Sequence, residues 1–508
     1  MNAQTTAETL ALLKAAQGSP NDELRKAWTQ SGSAVSGITA YDLEAPAKQL
    51  YPVITPLRNE IPRVSGKGGI QANWRAVTGI NTTARNSIYA SGGNRSGVMT
   101  TTTADYTASY KGLGLEDSVT FEADYAAENF QDIKALAVEG LLRAMMIGEE
   151  KLILGGNSSL SLGNVASPTL TTANTGGSIT GNVGWGVGCV PLSFEGYLNA
   201  SVSTGVVQSY VRTNADASTD TINGGIGLPC AQSNIIVGTG NTGATCLINA
   251  SVSPIAGAVG YAWFWGANSG NLTLGAITTI NSVVITANAA GVAVSPGVVN
   301  YQALTATNNS TNSLSFDGLL TFASNSALNS YQATQANGVV GTGTALTSDG
   351  AGGIVEIDAA LKSFWDNYRL SPDTLWVNSQ EMNNIGKKIL AGASNGAMRI
   401  NFNMDQGMIG GGIMVRTYLN KFGMDGATEL KIRLHPNMPP GTMLFTTKSL
   451  PYPLSNVTNV LQMRMRRDYY QIEWPLVTRK YQYGVYEDGV LQNFFPPAFG
   501  VITNIANG

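Results

Sequence analysis

The sequence predicts an α+β protein that carries an inserted all-β sandwich. Three observations lead there. The stretch Phe121–Asn157 repeats apolar residues at helical spacing. The stretch 158–312 is a run of short strand-like segments almost without charge. The regions on either side mix helical and alternating patterns, in a chain of 508 residues that is too long for one ordinary core. Charged residues make up 12% of the chain, about half the usual quarter, and Gly, Thr, Asn, Ser and Ala are abundant, which favours turn-rich β-structure.

Residues 1–62 read as an N-terminal arm. Thr9–Gln17 and Asp22–Gln30 have short helical patterns, and beyond them Pro46, Pro52, Pro56 and Pro62 impose an extended path. Such an arm cannot cover its own Leu43, Leu50, Val53, Ile54 and Leu57, which need another surface of this chain or of a neighbouring copy. Residues 63–116 read as a long two-stranded excursion. Gly69–Ile80 faces Gly97–Leu113 across the turn-rich Asn86–Ser96. Two strands alone are marginal in water, so this hairpin also needs a partner surface.

Residues 117–157 are expected to form one helix, a spine. Phe130, Ile133, Ala137, Leu141 and Ala144 recur at steps of three and four, with Leu136, Leu142, Met145 and Ile153 widening the stripe. Glu122 and Asp124 suit the start of a helix, and Gly155-Gly156 suits its end. About 34 helical residues would give a rod of roughly 50 Å. Glu149-Glu150 reads as a solvated face or an intersubunit contact.

Within 158–312 the charged residues are Glu195, Arg212, Asp216 and Asp220. Segments such as SNIIVGTG, TCLINASVS, VGYAWFWG and INSVVITA alternate with Gly, Asn and Ser turns, the rhythm of a β-sandwich. Trp263-Phe264-Trp265 places two indoles on one strand face, suited to core packing ahead of a sugar-stacking platform. Residues 313–441 are mixed: Ile354, Ile357, Leu361 and Phe364 or Trp365 mark a helix, LWVNS a strand, Gln380–Ala391 a second helix, and 412–419 and 429–434 further strands. Residues 442–508 are almost wholly strands, and Leu461, Met463 and Met465 alternate there with Gln462, Arg464 and Arg466.

Candidate chemistry is sparse. Net charge is −3, with no basic domain of the kind that reads nucleic-acid sequence. Arg464-Met465-Arg466-Arg467 reads as a solvated or inter-subunit face. Cys189, Cys230 and Cys246 have neither disulfide-framework nor zinc spacing, and a reducing compartment suits them. The single histidine, His435, precedes Pro436 and reads as structural. Gly392-Ala393-Ser394-Asn395-Gly396 matches Gly-x-Ser-x-Gly, with Asp405 or Asp425 and His435 downstream. It follows a helix instead of a strand, contrary to a nucleophile elbow. Gly92–Gly97 lacks the P-loop lysine, and Gly407–Gly412 lacks the dinucleotide-site spacing. No catalytic, cofactor-binding or metal-ligating residue is assigned. The N-terminus has no secretory signal pattern, and no apolar run reaches the ~20 residues of a membrane helix.

The order of parts resembles the major capsid proteins of tailed double-stranded DNA phages, the Hong Kong 97 fold. Arm, extended loop (63–116) and a spine ending GEEKLILGGN come first. Phe316-Asp317-Gly318-Leu319 and WDNYRLSPDTLWVNS resemble the entry to the family's axial (A) domain. RMRRDYYQIEWPLVTRKYQYGVYEDGVL followed by PPAF resembles its peripheral (P) domain strands. The resemblance implies an A-domain at 313–441, P-domain strands at 442–508 with the spine, and an immunoglobulin- or fibronectin-like insert at 158–312. The family's long N-terminal scaffolding region has no counterpart. Lys67 and Lys111 lie at the base of the extended loop, so crosslinking chemistry is not carried over.

The implied function is self-assembly into hexamers and pentamers of an icosahedral virion shell around double-stranded DNA, in a bacterial cytoplasm. The implied partners are other copies, portal, scaffolding and decoration proteins, with weak sequence-independent DNA contact and no membrane. Rival readings are an encapsulin-like compartment, a cell-surface adhesin or surface-layer protein, and a polysaccharide-acting enzyme.

Overall fold

The computed structural model describes residues 51–80, 92, 100–128, 131–214, 217–267, 270–289, 297–391, 401–403, 408–410, 415–423 and 428–506. The expected helices in 1–50, Phe130, Asp216, the Ser394 loop, Asp405 and Asp425 lie outside the described residues, as does the 86–96 tip apart from Gly92. By internal contacts the chain divides into two units, Met1–Pro52 with Val119–Leu136, and Val53–Ser118 with Ala137–Gly508.

The larger unit begins with a short helix, α1 (Pro56–Glu60). The prolines were expected to enforce an extended path. Pro56 instead opens the helix, because a first-turn amide has no intrahelical acceptor to lose. β1 (Arg63–Ser65), β2 (Gln71–Ile80), β3 (Thr101–Ser109) and β4 (Lys111–Thr120) follow. β2 and β3 form a two-stranded antiparallel ribbon, with Gln71 opposite Ser109 and Ile80 opposite Thr101. The expected excursion therefore narrows to 71–109, and its flanks belong to a sheet of the body.

The described part of the smaller unit holds α2 (Phe121–Ala126) and the first turn of α3 (Ile133–Gly155). The single helix expected over 121–157 is thus two. Thr120 caps α2 by accepting the amide of Ala123. Asp132 Oδ1 accepts the amide of Ala135 at 3.0 Å, which starts a new helix. The 23 residues of α3 give a rod of about 35 Å.

The segment after α3 holds β5 (Thr169–Ala173), β6 (Ile179–Thr180), β7 (Val183–Leu192), the short helix α4 (Phe194–Asn199), and β8 (Ser209–Thr213) with β9 (Thr219–Asn223). β10 (Ser233–Val237), β11 (Ala244–Ser251), β12 (Gly260–Ala267), β13 (Thr273–Thr278) and β14 (Ser282–Ile285) complete it. One antiparallel sheet runs β10-β7-β12-β13 and the other β14-β11-β5, with β6 also on β11. Val187, Cys189, Phe264, Leu274, Ile248, Ala250 and Ile285 from both sheets share one apolar core. In immunoglobulin sandwiches the first two strands of the domain pair. Here the first strand, β5, pairs with β11.

The chain re-enters the body at α5 (Leu319–Ser324) and β15 (Tyr331–Thr334), then α6 (Val355–Tyr368), β16 (Thr374–Val377) and α7 (Ser379–Ala391). Ile357, Leu361 and Phe364 are buried on α6, as their spacing predicts. A small β17–β18 hairpin (401–403, 408–410), β19 (Thr417–Asn420), β20 (Thr428–Leu434) and β21 (Met443–Thr446) precede the long pair β22 (Leu461–Glu473) and β23 (Lys480–Asn493), and β24 (Gly500–Thr503) ends the series. Two sheets result, β1-β22-β23-β4 and β15-β24-β21-β16-β20-β19.

The expected grouping of all strands after residue 442 is therefore corrected. β21 and β24 join the six-stranded sheet, and of the described strands after residue 442 β22 and β23 alone enter the four-stranded sheet with β1 and β4. Alternation within a strand specifies its faces but not its neighbours, which pairing across long sequence separations decides. The body's core, with Leu154, Phe316, Leu361, Phe364, Trp376, Phe445 and Phe499, is distinct from the sandwich core.

Candidate functional site

A buried polar cluster of the body sits where α1 and β1 lie against the end of α3. Leu141, Met145, Glu149 and Ile153 recur at steps of four on the buried side of α3, so Glu149 occupies an apolar stripe. Glu149 and Glu150 are 1% and 0% exposed. The expected solvated or intersubunit face is thereby overturned. Both carboxylates are fully engaged inside the subunit.

Glu150 caps α1. It accepts the amides of Leu57 at 2.9 Å and Arg58 at 2.7 Å, where first-turn donors and the helix dipole favour an anion. His435 Nε2 lies 2.6 Å from Glu150 Oε1, and its Nδ1 accepts the amide of Asn437 at 3.2 Å. The Nδ1 acceptor role leaves the ring proton on Nε2, donated to Glu150. His435 is buried, and Trp376 packs edge-on against it.

Glu149 pairs with Arg58 at 2.8 Å and Arg63 at 2.5 Å, and it accepts the Tyr469 hydroxyl. Both guanidiniums lie over the Tyr469 ring, 5.2 and 4.9 Å from its centre. Arg63 also reaches Asp468 and Glu487, each at 2.8 Å. Three carboxylates thus share two guanidiniums, and Glu487 Oε1 is buried without a hydrogen-bond partner. Burial, and then the charge of Glu149, push Glu487 up to about 7. Burial and the same two glutamates push the Tyr469 hydroxyl up.

This cluster ties α1 and β1 to α3, and its Glu149 and Glu487 side chains are shut off from solvent. The neighbouring cavity, about 70 Å³, is lined by Leu57, Glu60, Trp376, Lys448 and Phe499 and does not reach Glu149 or Glu487. Glu60 on α1 pairs with Arg433 and Lys448, which adds a second tie between the same segment and the six-stranded sheet. Spacing four residues from Met145 and Ile153 was the signal that could have placed Glu149 inside. The arginine partners, 86 and 91 residues away in sequence, carried no such signal.

The other candidates are scattered. Trp263 and Phe264 are fully buried and Trp265 nearly so; the indoles donate to Thr278 and to the Ala287 carbonyl, which leaves no sugar-stacking face. Cys189, Cys230 and Cys246 are free and buried in the sandwich. Arg466 pairs with Asp488 and Arg467 stacks on Tyr470. Lys67 is exposed, whereas Lys111 donates to the Ser313 carbonyl at 2.5 Å. Among the described residues no three His, Cys, Asp or Glu side chains are placed to hold a metal, and no helix is long and apolar enough to cross a membrane.

No protein-family model matches the sequence, and no curated protein matches it. Solved structures align with most of the chain at low identity. They include the capsid of a native GTA particle (9% identity, TM-score 0.41, 94% of this chain and 100% of that chain) and the capsid of cyanophage P-SCSP1u (8%, 0.39, 100% and 100%). The holo-SrpI encapsulin complex from Synechococcus elongatus also aligns (7%, 0.37, 91% and 93%). A GTA-particle capsid, a cyanophage capsid and an encapsulin complex are thus among the structures this chain is similar to.

Proposed function

We propose that this chain is a major capsid protein that self-assembles into the hexamers and pentamers of an icosahedral phage head enclosing double-stranded DNA. Its role is mechanical, not catalytic. The observation that carries this reading is the β2–β3 ribbon, which pairs with no third strand among the described residues. At about 3.3 Å per residue it projects roughly 30 Å. Trp74 anchors its base on Phe494, yet Val77 is 65% and Tyr106 42% exposed. A two-stranded ribbon with apolar residues in water is marginal alone and suits a neighbour's surface. Exposed Leu476 and Val477, between β22 and β23, add a second such contact point.

In this reading α3 and the four-stranded sheet form the shell wall, and the six-stranded sheet faces the capsomer axes. Portal, scaffolding and decoration proteins are the expected partners. Contact with packaged DNA is weak and independent of sequence, in keeping with the net charge of −3. The test is negative-stain electron microscopy of the chain expressed alone in a bacterial cytoplasm. Closed shells or capsomer rings support the proposal. A well-folded particle that stays monomeric at high concentration overturns it, and shells that retain a specific cargo enzyme move the reading to an encapsulin-like compartment.

A further inference from the structure

The sandwich joins the body first through its own chain ends. Gly318 donates to the Gly156 carbonyl and Asn312 to that of Asn157, each at 2.8 Å, so entry and exit run side by side. Asp317 accepts the amides and hydroxyls of both Ser158 and Ser159. A neck of this kind alone would leave the sandwich attached at one end.

A second joint lies far from the neck in sequence. Asn281, in the turn from β13 to β14, and Asn504, just past β24, are 1% and 4% exposed. The Asn281 amide donates to Asn504 Oδ1, and Asn504 Nδ2 donates back to Asn281 Oδ1, both at 2.9 Å. Both side-chain amides also reach backbone carbonyls. Asn281 Nδ2 reaches the Val252 carbonyl at 2.5 Å and Asn504 Nδ2 the Gln335 carbonyl at 2.8 Å. Asn504 has φ 62°, a left-handed conformation that asparagine tolerates and most residues do not. Around the pair, Ser282 Oγ accepts the Gly341 amide at 2.9 Å. A Cβ on Gly341 would clash with the Val284 side chain, so the body loop and the sandwich meet backbone to side chain.

We propose that the reciprocal Asn281–Asn504 pair is a clasp that fixes the sandwich on the body and closes only when the six-stranded sheet is complete. Asn504 is set by β24, the last of the described strands, which lies between β15 and β21 and joins them into one sheet. The sandwich has its own core and precedes β24 in the chain. Its seating therefore reports that β24 has inserted. A buried, reciprocally hydrogen-bonded amide pair is suited to this, because removing one partner costs more here than at an exposed contact.

The experiment is hydrogen exchange on the full chain with Asn504→Gly, which keeps the left-handed backbone and removes only the side chain. The amides of Asn281, Val252, Gln335 and Gly341 are expected to exchange about ten- to hundredfold faster, the size of two or three lost buried hydrogen bonds. Amides of β7 and β12 inside the sandwich keep their protection. Asn281→Ala, on the opposite side of the joint, is expected to give the same pattern and to provide the test where the first variant yields too little protein. The double variant is expected to be no worse than either single one. Unchanged exchange at the joint overturns the proposal. Uniform loss of protection across both cores does so too, since it would make these residues general determinants of folding.

Discussion

Two isosteric neutralisations in one buried cluster should act with opposite sign. Glu149→Gln removes the carboxylate that holds Arg58 and Arg63, both mostly buried, and that accepts Tyr469. Breaking a buried pair by removing one partner costs about 3–5 kcal/mol. Glu487→Gln instead removes a charge the cluster tolerates poorly. Its pKa in the folded chain is about 7 against an ordinary 4.5, so between these values the folded state holds a proton that the unfolded chain has released. The associated stability is complete below about pH 4.5 and is lost as pH rises through 7, about 3 kcal/mol at 1.36 kcal/mol per unit.

The neutral amide introduced by Glu487→Gln mimics the protonated form at every pH. Urea unfolding of the unassembled subunit, followed by tryptophan fluorescence, should find this variant close to the parent chain at pH 5 and more stable by up to about 3 kcal/mol at pH 8. Glu149→Gln should be destabilised at both. It should also lose part of the parent's fall in stability between pH 5 and 8, because Glu149 is itself a cause of the Glu487 shift. Equal destabilisation by both variants at pH 8 would refute the picture of an over-acidic clamp.

Other substitutions probe the remaining parts. A Cβ on Gly156 would clash with the Phe316 carbonyl oxygen, so Gly156→Ala should lower the melting temperature measurably, by the ~1–3 kcal/mol typical of overpacking, as read by calorimetry. Leu361→Ala opens a cavity in the body core and should cost about 2–5 kcal/mol in urea unfolding. The three cysteines should resist a thiol reagent in the native chain and react together on unfolding, since burial also holds Cys189 and Cys230 above the usual thiol pKa. Replacing residues 72–108 by a short turn should leave a folded subunit that no longer forms shells by electron microscopy; intact shells would remove the ribbon from the proposed assembly.

Periodicity made the local elements legible. The α6 stripe of Ile357, Leu361 and Phe364, the alternation around Met463 and Met465, and the charge-poor sandwich segment each express a face that the chain must bury, and such faces are written at short range. The sequence also holds the N-cap at Asp132 and the step-of-four position of Glu149, two local signals that a continuous-helix reading passes over. Tertiary structure alone decided the rest. Whether β21 and β24 join β22 or β16 depends on pairing across long separations. The partners of Glu149 and Glu150 come from α1, β1, β22 and the turn after β20, and the clasp joins Asn281 to Asn504 across 223 residues of chain. Nothing in the spacing of isolated arginines or asparagines encodes such meetings, because they exist only after both cores have formed and brought distant backbone into register.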